Sequence, residues 1–331
     1  MPKLVDDFGR VVTKLRVSVT DRCNLRCVYC MPEGGLEWAP TEEILSFDEI
    51  ARVVGAASTL GVNKVRITGG EPLLRPGIEE LVSLLASIPA IESVSLTTNG
   101  FFLADKAQAL RGAGLRGINV SLDSLDAEKL RRITRKDYFR TIMDGIDAAR
   151  GAGLAPIKIN AVIMRGYNDD EIEGLAHLAR RNPLVVRFIE FMPLDAGGTW
   201  KRKLVVPMSE ILERVRAVAD VEEVVEVGCG GGEPARRFRF RDGSGEIGVI
   251  ASVSAPFCES CNRVRLTADG KLLACLFSLD EHDVKRVLRS GGTDGEVAEF
   301  LVSAVKTKWA GHNINSPGFQ KPPRPMSAIG G

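Results

Sequence analysis

Leu15-Arg16-Val17-Ser18-Val19-Thr20-Asp21-Arg22-Cys23-Asn24-Leu25-Arg26-Cys27-Val28-Tyr29-Cys30-Met31-Pro32 runs from an apolar, β-branched segment straight into three cysteines spaced C-x3-C-x2-C. The first six residues read as a strand, which places the cysteines in the loop beyond its carboxyl end. Three soft thiolates are one ligand too few for a four-iron cluster, and an iron without a protein ligand can bind a small molecule and pass it an electron. A ferredoxin run would add a fourth cysteine and a structural zinc site would add a second pair. Neither completion lies nearby. Because C-x2-C pairs also serve zinc, a zinc site is the alternative that spacing alone leaves open.

Outward from this stretch, short β-branched runs alternate with amphipathic segments from Lys14 to Met192. That is the βαβα rhythm of a parallel sheet wrapped by helices. The expected strands are Leu15 to Thr20, Lys64 to Thr68, Ser93 to Thr98, Gly117 to Ser121, Ile157 to Val162 and Val185 to Phe191. Ser46 with Glu49 forms a capping-box pattern before the first helix, and Gly112-Ala113-Gly114 and Gly151-Ala152-Gly153 end two others. The α/β class follows, as an incomplete (βα)6 TIM-type barrel, although an open doubly wound sheet has the same local pattern.

After Met192 the rhythm changes. Gly197-Gly198 and Pro207 break the chain, a helix is expected over Glu210 to Ala219, and Arg236 to Phe240 with Glu246 to Ala251 flank a hairpin turn, Asp242-Gly243-Ser244-Gly245. A second hairpin, Arg263 to Leu266 with Lys271 to Cys275, turns at Asp269-Gly270. Two short helices and a proline-rich tail ending in Gly330-Gly331 complete the chain. The expected organisation is a partial barrel over residues 1–192 and a C-terminal α+β extension over 193–331.

That extension carries Cys258, Cys261 and Cys275, again a triad that stops at three, in C-x2-C-x13-C spacing. The second hairpin would fold Cys275 back beside Cys261, which accounts for the long gap. A zinc knuckle completed by histidine is the alternative here, but His282 and His312 lack finger spacing. Cys229, in a glycine run, has no partner by spacing.

With 331 residues the chain can bury a large core, and 44 basic against 43 acidic side chains leave a net charge of +1. That balance argues against a general binder of nucleic acid or membrane surface, so any cationic function is local. With no signal-peptide pattern at the start and no long apolar run, the expected location is the cytoplasm, where clustered cysteines are more often metal ligands than disulfides.

Ligands bind at the carboxyl ends of strands in α/β barrels and open sheets, and the strand ends here form a consistent set. They carry the first triad, Thr68-Gly69-Gly70-Glu71-Pro72, Thr97-Thr98-Asn99-Gly100, Ser121-Leu122-Asp123 and Glu190-Phe191-Met192. The paired glycines would let backbone groups approach a ligand closely. Cations accompany them. Arg16 and Lys158 stand inside strands expected to be covered, Arg66 precedes the glycine turn, and Arg263 and Arg265 follow Cys261. Charges facing a lumen need an anion. Arg263 and Arg265, two apart on a strand, should share one face as a clamp suited to phosphate.

The C-x3-C-x2-C triad with the GGEP turn resembles the radical S-adenosylmethionine superfamily. Further stretches look like the GTP 3′,8-cyclase family, which performs the first step of molybdenum-cofactor biosynthesis. They are Thr20-Asp21-Arg22-Cys23-Asn24, Tyr29-Cys30-Met31-Pro32, Asn119 to Leu125, Phe257 to Arg265 and Ile329-Gly330-Gly331. By that resemblance Cys23, Cys27 and Cys30 hold the 4Fe-4S cluster that cleaves S-adenosylmethionine. Cys258, Cys261 and Cys275 hold a second 4Fe-4S cluster that meets the guanine base. Tyr29, Gly70, Ser121 and Met192 match S-adenosylmethionine contacts, and Arg16, Arg66, Thr97, Lys158, Arg263, Val264 and Arg265 match GTP contacts. Arg16, Arg263, Arg265, Gly330 and Gly331 are implied in catalysis.

The resemblance further implies a reduced flavodoxin or ferredoxin-type electron donor. A cyclic pyranopterin monophosphate synthase would act downstream, and the protein would be a monomer or homodimer. The reaction implied is hydrogen abstraction from the ribose C3′ by a 5′-deoxyadenosyl radical, then attack of that carbon on guanine C8. A radical enzyme that modifies peptides or proteins would share the N-terminal half, yet such enzymes usually have more C-terminal cysteines. A two-cluster electron carrier would not need an internal cationic set.

Overall fold

The computed structural model of the chain describes residues 3–224 and 233–330, so Cys229 and Gly331 lie outside the described residues. Six strands follow the expected order: β1 (Lys14–Ser18), β2 (Lys64–Thr68), β3 (Ser93–Thr98), β4 (Gly117–Ser121), β5 (Ile157–Ile163) and β6 (Leu184–Glu190). Between them run α1 (Phe47–Thr59), α2 (Ile78–Ala86), α3 (Leu103–Gly112), α4 (Ala127–Thr134), α5 (Phe139–Gly151) and α6 (Ile172–Arg181). Neighbouring strands are parallel throughout.

Local chemistry explains several of these boundaries. Ser46 accepts from the Glu49 amide while the Glu49 side chain accepts from the Ser46 amide, so the first helix starts at Phe47 with two of its otherwise unpaired donors satisfied. Gly114 and Gly153, at φ +102° and +74°, turn the chain out of α3 and α5 in a conformation that side chains resist. In β1, Leu15 and Val17 enter the layer between sheet and helices with Val53, Val65, Ile67 and Leu81, while Arg16 faces the other side. Each such apolar side chain contributes about 1.5–3 kcal/mol by leaving water.

The C-terminal segments extend the same sheet at both edges. After α7 (Met208–Val218) come β7 (Val221–Glu223), β8 (Arg236–Phe240) and β9 (Glu246–Ile250), and β9 pairs parallel with β6. Then β10 (Arg263–Leu266) pairs parallel with β1, followed by β11 (Lys271–Leu273) and β12 (His282–Asp283). The strand order is β12-β11-β10-β1-β2-β3-β4-β5-β6-β9-β8-β7, and among the described residues no pairing joins the two ends. The barrel is therefore open, and segments that follow Met192 in sequence supply its flanking strands. α8 (Val284–Arg289) and α9 (Asp294–Lys306) cover one edge, α9 against α1, and the tail ends in α10 (Met326–Ile329). Among the described residues no helix is long and apolar enough to cross a membrane.

Register decides what the open barrel encloses. Arg265, Arg16, Arg66 and Ser95 are direct partners across four strands, and one pleat below them so are Arg263, Lys14, Lys64 and Ser93. Two rows of three cations thus lie side by side. Like charges directly opposite across strands repel, so a stack of this kind is stable only beside an anion or well-screened solvent.

Candidate functional site

At the carboxyl ends of the strands lies a cavity of about 270 Å³ lined by all six cysteines of the two triads. The first triad hangs on a loop that the glycine turn clamps. The Gly70 amide donates to Thr20 O (2.7 Å) and the Glu71 amide to Arg22 O (2.8 Å). A Cβ on Gly70 would lie 2.4 Å from Arg22 O, so only glycine fits. The close approach expected of these glycines toward a ligand is thus made first to the cysteine loop itself. Glu71, fully buried, accepts from the amides of Leu73 and Asn99 and from the Thr98 hydroxyl, and burial pushes its carboxyl up to about 7.

Burial dominates the thiols of this loop, raising Cys23 to about 12 and Cys30 to about 11, with Cys27 also well above its ordinary value. Nearby carboxyls act the same way, Glu71 on Cys23 and Asp123 on Cys27. Thiolates here need a metal to hold them ionised. Tyr29 donates to Asp123 Oδ2 (2.8 Å), and the Val162 amide donates to Oδ1 (2.9 Å). Burial raises Asp123 to about 6.

The second triad sits among cations. Cys258 begins a single 3-10 turn, Cys261 follows it, and Cys275 comes two residues past β11. Arg10, paired with Asp6, donates to Cys258 O (2.8 Å), while Lys308 donates to Cys261 O (3.0 Å) and Arg263 O (2.7 Å). Burial alone would raise Cys261, but Arg263 and Lys308 outweigh it and bring the thiol down to about 7.

Both triads fit four-iron clusters with one open corner. All six thiols line one cavity, and Thr68 Oγ1 and Asn160 Oδ1, of residues that line it too, are buried without a partner among the described residues. A bound cofactor or substrate with several polar groups would satisfy them. Among the described residues no three His, Cys, Asp or Glu side chains close on one point as a single ion would require. A zinc ion draws its sulfurs to about 2.3 Å from one centre, whereas an iron-sulfur cube spreads three thiolates over a wider triangle.

Of the residues expected to contact S-adenosylmethionine, Tyr29, Gly70, Ser121 and Met192 all line this cavity. Arg16, Arg66, Thr97, Arg263 and Arg265 line it too, while Lys158 lines an adjoining cavity at the amino ends of the strands. Val264 differs. Its side chain is buried in the hydrophobic core, which leaves only its backbone for a ligand.

Arg265 is buried and donates to Gly330 O and to Ile329 O (3.4 Å), so the tail takes a guanidinium that strand geometry suggested for phosphate alone. Gly330, at φ +75°, packs so closely on Thr68 that a Cβ would lie 2.2 Å from its hydroxyl. Arg324 with Asp269 and Glu281, and Lys321 with Asp195, tie the tail down. Arg187 joins the cavity unexpectedly, 3% exposed and lowered to about 10, first by burial and then by Arg66. Its position between Val186 and Phe188 in a covered strand is the signal that also marked Lys158. Lys308 and Arg10 carry no such signal, because their roles depend on backbone carbonyls distant in sequence.

Residues 17–179 match the Radical SAM superfamily, and residues 184–314 match Molybdenum Cofactor Synthesis C. The GTP 3′,8-cyclase of Streptomyces coelicolor is 47% identical over 331 residues, covering 99% of this chain and 96% of that protein. The GTP 3′,8-cyclase of Pelotomaculum thermopropionicum is 44% identical, covering 98% and 99%. Among solved structures, Streptococcus suis SuiB bound to S-adenosylmethionine superposes with a TM-score of 0.63 at 14% identity, over 90% of this chain and 69% of that one. The maturase HydG from Carboxydothermus hydrogenoformans gives 0.51 at 16%, over 65% and 53%. These two establish likeness of fold.

Proposed function

The chain belongs to the radical SAM superfamily and, within it, to the GTP 3′,8-cyclases, and from that premise we propose that it converts GTP to 3′,8-cyclo-7,8-dihydro-GTP, the first step of molybdenum-cofactor biosynthesis. The observation that carries the reading is the lining of one cavity by two three-cysteine sites, with a wall that continues into two rows of cations. A polyanionic substrate suits those rows, and a neutral peptide does not, which favours a nucleotide over a peptide substrate.

Cys23, Cys27 and Cys30 would hold one 4Fe-4S cluster, which with S-adenosylmethionine supplies a 5′-deoxyadenosyl radical. Cys258, Cys261 and Cys275 would hold the second, beside the guanine. Such a radical attacks almost any C–H bond, so selectivity rests on positioning and on exclusion of water. Tyr29, fixed by Asp123, with Gly70, Ser121 and Met192, would orient S-adenosylmethionine. Arg16, Arg66, Thr97, Lys158, Arg263, Arg265 and the Val264 backbone would hold GTP. Arg16, Arg263 and Arg265, together with Gly330 and Gly331 of the tail, would act at the reacting end. The packing of Gly330 against Thr68 and Arg265 supports a tail that closes the chamber.

Functionally the chain divides into the radical-generating part, 1–192, and the substrate and second-cluster part, 193–331. The remaining proposals are a cytoplasmic location, a reduced flavodoxin or ferredoxin-type donor and transfer of product to a cyclic pyranopterin monophosphate synthase. The test is anaerobic incubation of the cluster-loaded protein with reductant, S-adenosylmethionine and each nucleoside triphosphate in turn. Mass spectrometry should find an isomer of GTP together with 5′-deoxyadenosine, and iron analysis about eight irons per chain. No GTP-dependent product, or stoichiometric zinc in place of iron, would overturn the reading.

A further inference from the structure

The cation rows descend into a second cavity, of about 250 Å³, at the amino ends of the strands. Lys14, Arg16, Lys64, Arg66, Lys158 and Arg263 line it, and Arg16, Arg66 and Arg263 belong to both cavities. Among the described residues one carboxylate lines this space. It is Glu233, which reaches in ahead of β8 with Oε1 2.5 Å from Lys14 Nζ. Glu233 is not in a helix or strand, and its side chain keeps 41% of its exposure. Burial acts to raise the carboxyl, but Lys14, Lys158 and Arg187 overcome this and hold it down at about 2. Arg16, Lys64 and Lys158 have no ion pair among the described residues.

We propose that Glu233 is a tethered counter-anion that occupies the cationic end of the nucleotide channel and is displaced by the phosphates of the bound nucleotide. The proposal rests on the nucleotide reading above. Its physical basis is competition between an intramolecular and a free anion for one set of donors. A tethered group competes at an effective concentration in the millimolar range, without losing translational freedom on each encounter. One carboxylate brings a single negative charge and two acceptor oxygens. A monophosphate brings up to two charges and three oxygens, but as a single group it need not reach the far end of the rows and can bind with the carboxylate in place. A triphosphate brings several charges and enough oxygens to satisfy both cation rows, so it wins outright. The carboxylate therefore weakens by one common factor every nucleotide whose phosphates must displace it, and weakens less one whose phosphate does not reach it. It also screens the repulsion between stacked cations when no substrate is bound.

The experiment measures dissociation constants of GTP, GDP, GMP and inorganic tripolyphosphate for the anaerobically prepared, cluster-loaded wild type and the Glu233→Gln variant, by equilibrium dialysis. The expected result is tighter binding by the variant, by a common factor of about five for GTP and tripolyphosphate, whose phosphates must displace the carboxylate, and less for GMP. The preference for GTP over GMP then widens, and in turnover the change falls in KM for GTP. Glu233→Ala should shift the constants in the same direction. Unchanged or weaker binding of GTP and tripolyphosphate, or an unaltered GTP-to-GMP ratio, overturns the proposal. Should tripolyphosphate bind more tightly to the variant while neither protein turns over GTP, the counter-anion stands and the cyclase reading fails. GTP turnover by both with equal KM gives the converse.

Discussion

Cys23, Cys27 and Cys30 have Glu71 and Asp123 as their charged neighbours, whereas Cys258, Cys261 and Cys275 have Arg263, Lys308 and Arg10. The thiols of the first group are all held high, Cys23 at about 12 and Cys30 at about 11, whereas in the second burial still raises Cys258 and Cys275 and Cys261 alone is brought down, to about 7. The difference fits the charge each site would receive. S-adenosylmethionine carries a sulfonium and an amine, so the first site can keep its acids and let the ligand supply positive charge. GTP is an anion, so the second site must supply positive charge itself and draws it from the strand that also lines the channel.

The most severe way to break this comparison is to remove one thiol from each site. Cys27→Ala should abolish both 5′-deoxyadenosine formation and cyclisation. Cys275→Ala should abolish cyclisation and leave 5′-deoxyadenosine formation within about tenfold of wild type, a change of about 1.4 kcal/mol. Quantifying both products in one anaerobic assay decides the matter, and equal loss of both in the second variant contradicts separate roles.

Alkylation sharpens the contrast without asking for turnover. In protein stripped of iron at pH 7, about half of Cys261 is thiolate, while Cys23 and Cys30 are almost wholly protonated. Iodoacetamide should therefore label Cys261 at least about a hundredfold faster, as read by peptide mass spectrometry over time. Labelling of the first group at a comparable rate would mean that the surrounding charges do not govern these thiols.

Arg265→Ala probes the boundary between second cluster and substrate. Loss of charge-assisted hydrogen bonds, each about 1.5–3 kcal/mol, should weaken GTP binding about ten- to a hundredfold. Because Arg265 also holds Gly330 O, the variant should lose protection of the tail amides from hydrogen exchange. Unchanged affinity with an exposed tail would assign Arg265 to the tail alone.

How much of this was legible depends on the range of the interaction concerned. The six strand ends and the Ser46–Glu49 cap are local patterns, readable within a few residues. Arg16 and Lys158 stood out because a charge inside a covered strand needs a reason, and Arg187 carries the same signal without being among the expected residues. Pairing of β10 with β1 joins positions some 250 residues apart, as in Lys14 opposite Arg263. Nothing in either strand names its neighbour, because parallel partners are chosen by the whole sheet. The same holds for Gly70, whose close contact is with Arg22 O, and for Lys308 and Arg10, which bind backbone carbonyls that acquire their positions only in the folded chain. Glu233 looks like a loop acid until Lys14 stands beside it.

The smallest expected effect tests the acidic side of the comparison. Asp123 Oδ1 and Oδ2 each accept a hydrogen bond, from Val162 and Tyr29, so in Asp123→Asn the amide oxygen keeps the Val162 N–H and the new NH2 faces Tyr29, whose hydroxyl must turn from donor to acceptor. That bond is no longer charge-assisted and holds the Tyr29 ring less firmly, so KM for S-adenosylmethionine should rise about threefold, below one kcal/mol. The pH dependence of stability moves more clearly. Asp123 titrates at about 6 when folded and near 4 when unfolded, so the folded state binds the extra proton between those values. Folding stability is therefore greatest below about pH 4, falls as pH rises to about 6, and is flat beyond, by about 3 kcal/mol in all from this group. Asparagine cannot titrate, so the slope of the urea midpoint against pH in the cluster-loaded variant should become shallower by this group's share, while Glu71 keeps its own. A slope left unaltered by the substitution would assign the whole titration to Glu71, the other buried acid beside the first cysteines.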